Sequence, residues 1–129
     1  IVAHHWVDNG PGWCAVMLRS AHEVLAIVPD WSALAPVRLG VVGAHGDGGD
    51  AAFEVRAFIA DGGYEDPVTG SLNASLAQWL IGAGLAPSEY VAAQGTALGR
   101  AGRVHLRREG DAVWVGGDVV DVVRGEIAL

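Results

Sequence analysis

Hydrophobic and polar residues alternate along residues 51–60, AAFEVRAFIA: Phe53, Val55, Ala57 and Ile59 fall on one side, and Glu54, Arg56 and Phe58 on the other. A period of two predicts a half-buried strand. Val104 and Leu106 against His105 and Arg107 repeat the pattern, and Val113 and Val115 follow across the turn Glu109-Gly110-Asp111. A β-branched stretch over 119–127 comes after Gly116-Gly117-Asp118, so the C-terminal third reads as a meander of strands joined by glycine turns. Strands are also expected over 2–7, 13–18, 37–42 and 90–98, the second entered through Asn9-Gly10-Pro11-Gly12.

Two segments have a helical pattern. The first follows Ser20, which forms an S-x-x-E capping box with Glu23, and carries Val24, Leu25 and Ile27 until Pro29 stops it. The second, residues 71–83, reads SLNASLAQWLIGA, with Leu72, Ala74, Leu76, Ala77, Trp79, Leu80 and Ile81 spread around the helical circumference and only Asn73, Ser75 and Gln78 interrupting. A helix apolar on nearly all sides must be covered on nearly all sides. At about 13 residues it is roughly 20 Å long, too short for a bilayer but suited to the axis of a small domain, and Gly82 and Gly84 weaken and end it. The pattern therefore predicts an α+β fold, a strongly curved sheet or barrel of about eight strands wrapped around a central buried helix at residues 71–84. Residues 45–50, His-Gly-Asp-Gly-Gly-Asp, read as a long hairpin loop.

Composition supports a single domain over residues 1–129. The chain is 51% hydrophobic and 18% charged, which excludes disorder, collagen and, with one cysteine, a disulfide framework. A domain of this length buries roughly two-thirds of the surface its unfolded chain exposes, so a core forms without staples. Eight arginines, no lysine and fifteen acids give a net charge of -7, leaving no basic field for nucleic acid or an anionic membrane. No apolar run is long enough to span a bilayer, and no targeting pattern opens the chain. The lone Cys14 fits a reducing cytoplasm. Because the sequence begins at Ile1 rather than methionine, it is expected to be part of something longer.

The segment entering the central helix, GGYEDPVTGSLN over 62–73, holds the candidate chemistry. Glu65 and Asp66 are adjacent acids, Pro67 fixes the backbone, and Thr69-Gly70-Ser71 bring small polar groups to the helix start. A helix N-terminus presents unpaired N–H groups and a partial positive charge, so it can hold a carboxylate without any lysine. Gly70 would let a ligand approach the backbone closely. Asp66 beside such an anion site suits acid/base work; burial would raise its pKa and the helix dipole would oppose the rise. The plainer alternative is that Ser71 is only an N-cap and Asp66-Pro67 only a turn.

These residues carry a resemblance. Glu65-Asp66-Pro67-Val68-Thr69-Gly70-Ser71-Leu72-Asn73 is similar to the E-D-P-[VA]-T-G-S-A-N signature of the PhzF family, the phenazine-biosynthesis isomerases. Val7-Asp8-Asn9-Gly10-Pro11 resembles the family's V-D-x-G-P strand and turn. Gln94-Gly95 with Leu98-Gly99-Arg100 and Gly102 resembles its Q-G-x-x-x-G-R-x-G element, and Val113-Trp114-Val115-Gly116-Gly117 its V-x-V-G-G hairpin. The resemblance implies a diaminopimelate-epimerase-like fold, in which two similar domains each wrap strands around a central helix and the active site lies between the two helix N-termini. This sequence resembles the second, C-terminal domain only.

By that resemblance the activity would be isomerisation or epimerisation of a small carboxylate-bearing metabolite by proton transfer, without a cofactor. Asp66 and Ser71 carry over as catalytic residues, Asp66 as acid/base or proton relay, and Ser71 with Thr69 and Gly70 as groups holding the substrate's carboxylate and neighbouring polar atoms. The family's principal base is a glutamate of the N-terminal domain supported by a Gly-His pair, and neither motif is present here; Glu23, Glu54 and His45 stand in the wrong context. The implied partner is therefore an N-terminal PhzF-like domain in cis or as a separate chain, or a second copy of this chain as a homodimer. Alone, such a half-site is expected to be nearly inactive. The rival is a non-catalytic module that binds or sequesters a small anion.

Two further readings are weaker. His4 and His5 are adjacent, so on a strand they face opposite sides and cannot share a metal, and His22-Glu23 is followed by Ala26 where H-E-x-x-H needs a histidine. The cysteine-based racemases that share the implied fold need a thiol at the start of the central helix, where this chain has Asp66; Cys14 lies in an early strand.

Overall fold

A computed structural model describes residues 1–34 and 36–129. Among the described residues, eight strands and two helices follow in the order β1 (Ala3–Val7), β2 (Trp13–Leu18), α1 (Ala21–Leu25), β3 (Arg38–Ala44), β4 (Phe53–Ile59), β5 (Tyr64–Asp66), α2 (Gly70–Gly82), β6 (Glu89–Gln94), β7 (Gly102–Glu109) and β8 (Ala112–Gly116), with a short 3-10 turn at Thr96–Leu98. The strands form one sheet in the order β1-β2-β3-β4-β6-β7-β8, with β5 also paired to β4. Pairs β2/β3 and β4/β6 are parallel and the others antiparallel. Helix α2 touches β1 and β2 at one end of this order and β7 and β8 at the other, so the sheet curls around the helix. This is the α+β architecture of a strongly curved sheet around a central helix that the periodicity predicts.

Strand β4 organises the molecule. Along one edge it pairs with β3 throughout. Its other edge is shared: Phe53, Glu54 and Val55 pair with β6, whereas Ala57, Phe58 and Ile59 pair with β5. Both neighbours end where they meet, Gln94 opposite Val55 and Asp66 opposite Ala57. That split in the sheet lies at the start of α2.

The inner face of β4, with Val55 and Ala57, packs into a core that includes Val42 of β3, Leu106 of β7 and Leu72, Leu76, Ala77 and Leu80 of α2. The three leucines are at most 1% exposed, and each such side chain contributes about 2 kcal/mol through burial. Gly40 of β3 is needed under this helix, because a Cβ there would come within 2.4 Å of the Leu72 side chain. The helix ends as a Schellman motif: the Gly84 N–H (φ 69°) donates to Ile81 O, and the Leu85 N–H to Leu80 O.

The structure corrects several expectations. Strand β4 is buried on both faces rather than half-buried, because α1 and residues after it cover the side bearing Glu54, Arg56 and Phe58. Helix α1 is five residues long and stops at Leu25, well before Pro29; the Ser20 hydroxyl accepts from the Glu23 N–H, but the Glu23 carboxylate reaches back to the Arg19 N–H instead of that of Ser20. The expected strand over 90–98 ends at Gln94, where Gly95 turns the chain with φ 89°. The expected strand over 119–127 is not formed: Val119, Val120, Val122, Val123 and Ile127 are exposed and pair with no strand among the described residues. The eighth strand is instead β5, within the candidate motif.

Candidate functional site

The motif segment begins on β5 and turns into α2. Alternation on β5 sends its two acids to opposite faces of the sheet. Glu65 goes outward into a two-point ion pair with Arg56, at 2.9 and 2.7 Å, both side chains being nearly inaccessible. Arg56 also donates to Val24 O and Ile27 O, so the same guanidinium holds the end of α1 and the chain after it against the sheet. This pairing uses Glu65 structurally.

Asp66 goes the other way, toward the start of α2. Its Oδ2 accepts a 2.5 Å hydrogen bond from the Thr69 hydroxyl, and it remains partly accessible. Thr69, not Ser71, is the N-cap residue; its hydroxyl is turned to Asp66 and makes no capping bond. The helix therefore starts without a side-chain acceptor on its first turn. A Cβ added at Gly70 would meet nothing within 4 Å, so the backbone there faces open space. Ser71 lies on the first turn, and its Oγ accepts from Nε1 of the buried Trp13 at 3.2 Å. With its acceptor side engaged, the Ser71 hydroxyl proton can be directed to a ligand. The four residues singled out in the sequence, Asp66, Thr69, Gly70 and Ser71, are thus gathered at one helix end.

A buried amide network fixes this arrangement. Gln94, 0% exposed at the end of β6, accepts from the Thr69 N–H (3.0 Å) and Asn73 Nδ2 (2.7 Å) and donates to Asp66 O (2.9 Å) and Thr69 Oγ1 (3.0 Å). Asn73 Nδ2 also donates to Thr69 O. All four hydrogen-bonding positions of the Gln94 amide are filled, which locks the turn and aims the Thr69 hydroxyl at Asp66. The close packing of Gly95 adds to the constraint, since a Cβ there would lie 2.7 Å from Pro67 O.

On the other side, the loop after β1 leans on the helix. Asp8 Oδ1 accepts from the N–H groups of Gly10 and Gly12, which holds its carboxyl below the usual aspartate range. Asn9 Nδ2 donates to Ser71 O at 3.2 Å. Asn9, Trp13, Asn73 and Gln94 are the positioning residues that local pattern did not identify. Asn73 read as a polar interruption of an apolar helix, and Gln94 as part of a strand running on to Leu98. Their signal lay in the motif context alone, the asparagine closing the E-D-P signature and the glutamine opening the Q-G element. Of the aromatic residues near the motif, Tyr64 is exposed, whereas Trp79 packs against the core and stacks on His5 at 5.6 Å. Cys14 lies on β2 and is partly buried.

The arrangement offers an anion-accepting helix start, a hydroxyl donor and a carboxyl group side by side, the minimum for holding a small carboxylate and handling a proton next to it. Comparison with known proteins gives the family and the fold. Residues 1–125 match the PhzC-PhzF family, described as phenazine biosynthesis-like protein. A structure described as a phenazine biosynthesis PhzC/PhzF protein from Clostridium difficile superposes with TM-score 0.69 at 25% identity, covering 91% of this chain and 45% of that one. A PhzF-family protein from Enterococcus faecalis gives TM-score 0.65 at 26% identity, covering 82% and 40%, respectively. One from Bacillus anthracis gives 0.64 at 16% identity, covering 83% and 42%, and supports the fold. The chain thus spans less than half the length of these structures. A search of curated proteins finds no match. Among the described residues no helix is long and apolar enough to cross a membrane. With the match running over residues 1–125 and the fold shared, the chain belongs to the PhzC-PhzF family of phenazine biosynthesis-like proteins.

Proposed function

We propose that the chain provides one half of the active site of a cofactor-independent PhzF-like isomerase or epimerase, acting on a small carboxylate-bearing metabolite in the reducing cytoplasm. The observation that carries this reading is the Asp66 carboxyl group, fixed through Thr69 and Gln94 beside the open first turn of α2. The substrate's carboxylate docks on the backbone N–H groups of that turn at Gly70, with the Ser71 hydroxyl as a further donor. A base on the facing half removes a proton from carbon, the electron pair moves into the adjacent unsaturated system, and the helix end stabilises the charge that develops. Asp66 delivers a proton at the new position or opposite face, and no net charge or redox change remains.

The facing half is an N-terminal PhzF-like domain, in the same polypeptide or a separate one. A reaction with two proton-handling groups needs both in one closed cavity, and this chain brings a single one to its helix start. The test is solvent-deuterium incorporation into a small unsaturated or α-amino carboxylate. Incorporation is expected with the complementary domain present and absent with this chain alone, whereas equal incorporation by the isolated chain would overturn the division of labour.

A second reading has its own support, because the anion-accepting helix end is assembled entirely from this chain's residues. In that reading the protein binds or sequesters a small carboxylate without turnover, and pairs with a second copy of itself across the open end of α2. A saturable carboxylate titration with a dimer in sedimentation, and no deuterium incorporation with any complementary domain, would favour it over the isomerase.

A further inference from the structure

The segment that follows β8 is apolar and uncovered. Val119, Val120, Val122, Val123 and Ile127 are each at least 82% exposed, and residues 118–129 make no backbone hydrogen bond to the other described residues. In extended form Val119, Asp121 and Val123 fall on one side and Val120, Val122 and Arg124 on the other, so each side carries two valines. A strand apolar on both sides belongs inside a covered sheet, not at a wet edge. The two open edges of this chain's own sheet do not offer that cover, since β1 exposes His4, His5 and Trp6, and β8 exposes Ala112, Trp114 and Gly116. The same edges on a second copy are no better.

The segment leaves the domain where the site opens. Strand β7 starts at Gly102, opposite Gln94, whose amide holds Thr69 at the start of α2; β8 runs antiparallel to β7 and ends at Gly116, opposite His105. Gly117 then passes alongside β7, where a Cβ on it would lie 3.6 Å from Arg103 O. Asp118 lines a cavity of about 310 Å³ with Gly102 and with Val68 of the motif turn. The chain is thus directed past the turn that carries Asp66, toward the side on which the proposed reaction needs its facing half. The family match runs on to residue 125, so most of the segment belongs to the domain pattern. We propose that residues 119–127 are a docking strand that pairs main chain to main chain with an open strand edge of the complementary PhzF-like half, where its valines are covered on both sides. The proposal rests on the isomerase reading for the existence of that half, and adds how the two halves are held together.

The test combines the full chain with an N-terminal PhzF-like domain bearing the glutamate and Gly-His pair, supplied as a separate polypeptide, and reads association by calorimetry and amide hydrogen exchange. In the chain alone the amides of Val119, Val120, Val122 and Val123 should exchange at open-chain rates, and in the assembly about 100-fold more slowly. Deleting residues 118–129 should weaken association by about 100-fold or more, and Val120→Asp with Val122→Asp by about 30-fold or more. The unfolding midpoint of the chain alone should be unchanged by either. Association as tight without the segment, amides that stay open in the assembly, a midpoint lowered by the deletion, or halves that do not associate at all would each overturn the proposal. Protection that rises with concentration in the chain alone would overturn it too, making a second copy the occupant. Segment-dependent association without deuterium incorporation would sustain the docking strand and end the isomerase reading, whereas incorporation with segment-independent association would do the reverse.

Discussion

Two adjacent carboxyl groups on one three-residue strand meet opposite fates. Glu65 is closed off with both oxygens on Arg56, while Asp66 is held by one oxygen to Thr69 and stays partly accessible at the start of α2. The alternation of a strand creates the difference, and the packing on each face of β4 fixes it. Sequence adjacency therefore says nothing about shared chemistry here. Glu65 contributes stability and placement, and Asp66 is the acid that the proposed proton transfer would use.

The contrast is easiest to break from the closed side. Arg56→Met should destabilise the protein by about 3–5 kcal/mol, because it strands the Glu65 carboxylate without its partner and releases the carbonyls of Val24 and Ile27. Urea unfolding checks this, and a loss under about 1 kcal/mol would mean the pair is no anchor. Replacing both partners, as Arg56→Met with Glu65→Leu, should recover part of the loss, since no buried charge is then left alone.

The amide network comes next. Gln94→Leu removes partners from the Thr69 N–H, Thr69 Oγ1, Asn73 and Asp66 O together, and should cost at least about 2 kcal/mol. It should also weaken carboxylate binding at Gly70 and Ser71, because the Thr69 hydroxyl loses its fixed direction. Stability lost with carboxylate affinity intact would show that the network supports the fold without positioning the site.

How much of this was legible beforehand depended on what each residue's neighbours do. The central helix was readable because Leu72, Leu76 and Leu80 belong to an apolar surface that only burial can explain. Strand β5 was not, since three residues, Tyr64 to Asp66, are too few to show a period. Glu54 and Arg56 look like a solvent face along the chain; their burial depends on α1 and the segment after it folding back over the sheet. Residues 119–127 show the converse, a β-branched pattern that forms no strand because pairing needs a neighbouring edge as well as a propensity. At the site, Asp66, Thr69, Gly70 and Ser71 were legible from helix-start chemistry and the family signature. Trp13 and Asn9 reach Ser71 from about 60 positions away, and local pattern cannot reveal such contacts.

Smaller effects refine the open side. Ser71→Ala removes the acceptor of the Trp13 indole N–H and should cost about 1 kcal/mol, measurable as a lower urea midpoint, along with weaker carboxylate binding. The Asp8 turn should give the smallest effect. The bonds from the Gly10 and Gly12 N–H groups depress its folded-state pKa, so its contribution is present above the ordinary aspartate range and is lost as pH falls through the lowered value. NMR titration of the Gly10 and Gly12 amides should report a midpoint below that of an unperturbed aspartate; a midpoint at or above it would show that the turn is not latched.

The most direct test of the account is Asp66→Asn in the assembly of this chain with its complementary half, read as deuterium transfer from solvent into bound substrate. The variant should keep its unfolding midpoint and its carboxylate affinity within about a factor of three, while deuterium incorporation falls by about 100-fold or more. Incorporation at the unmodified rate by a folded, substrate-binding Asp66→Asn protein would contradict the assignment of proton transfer to Asp66.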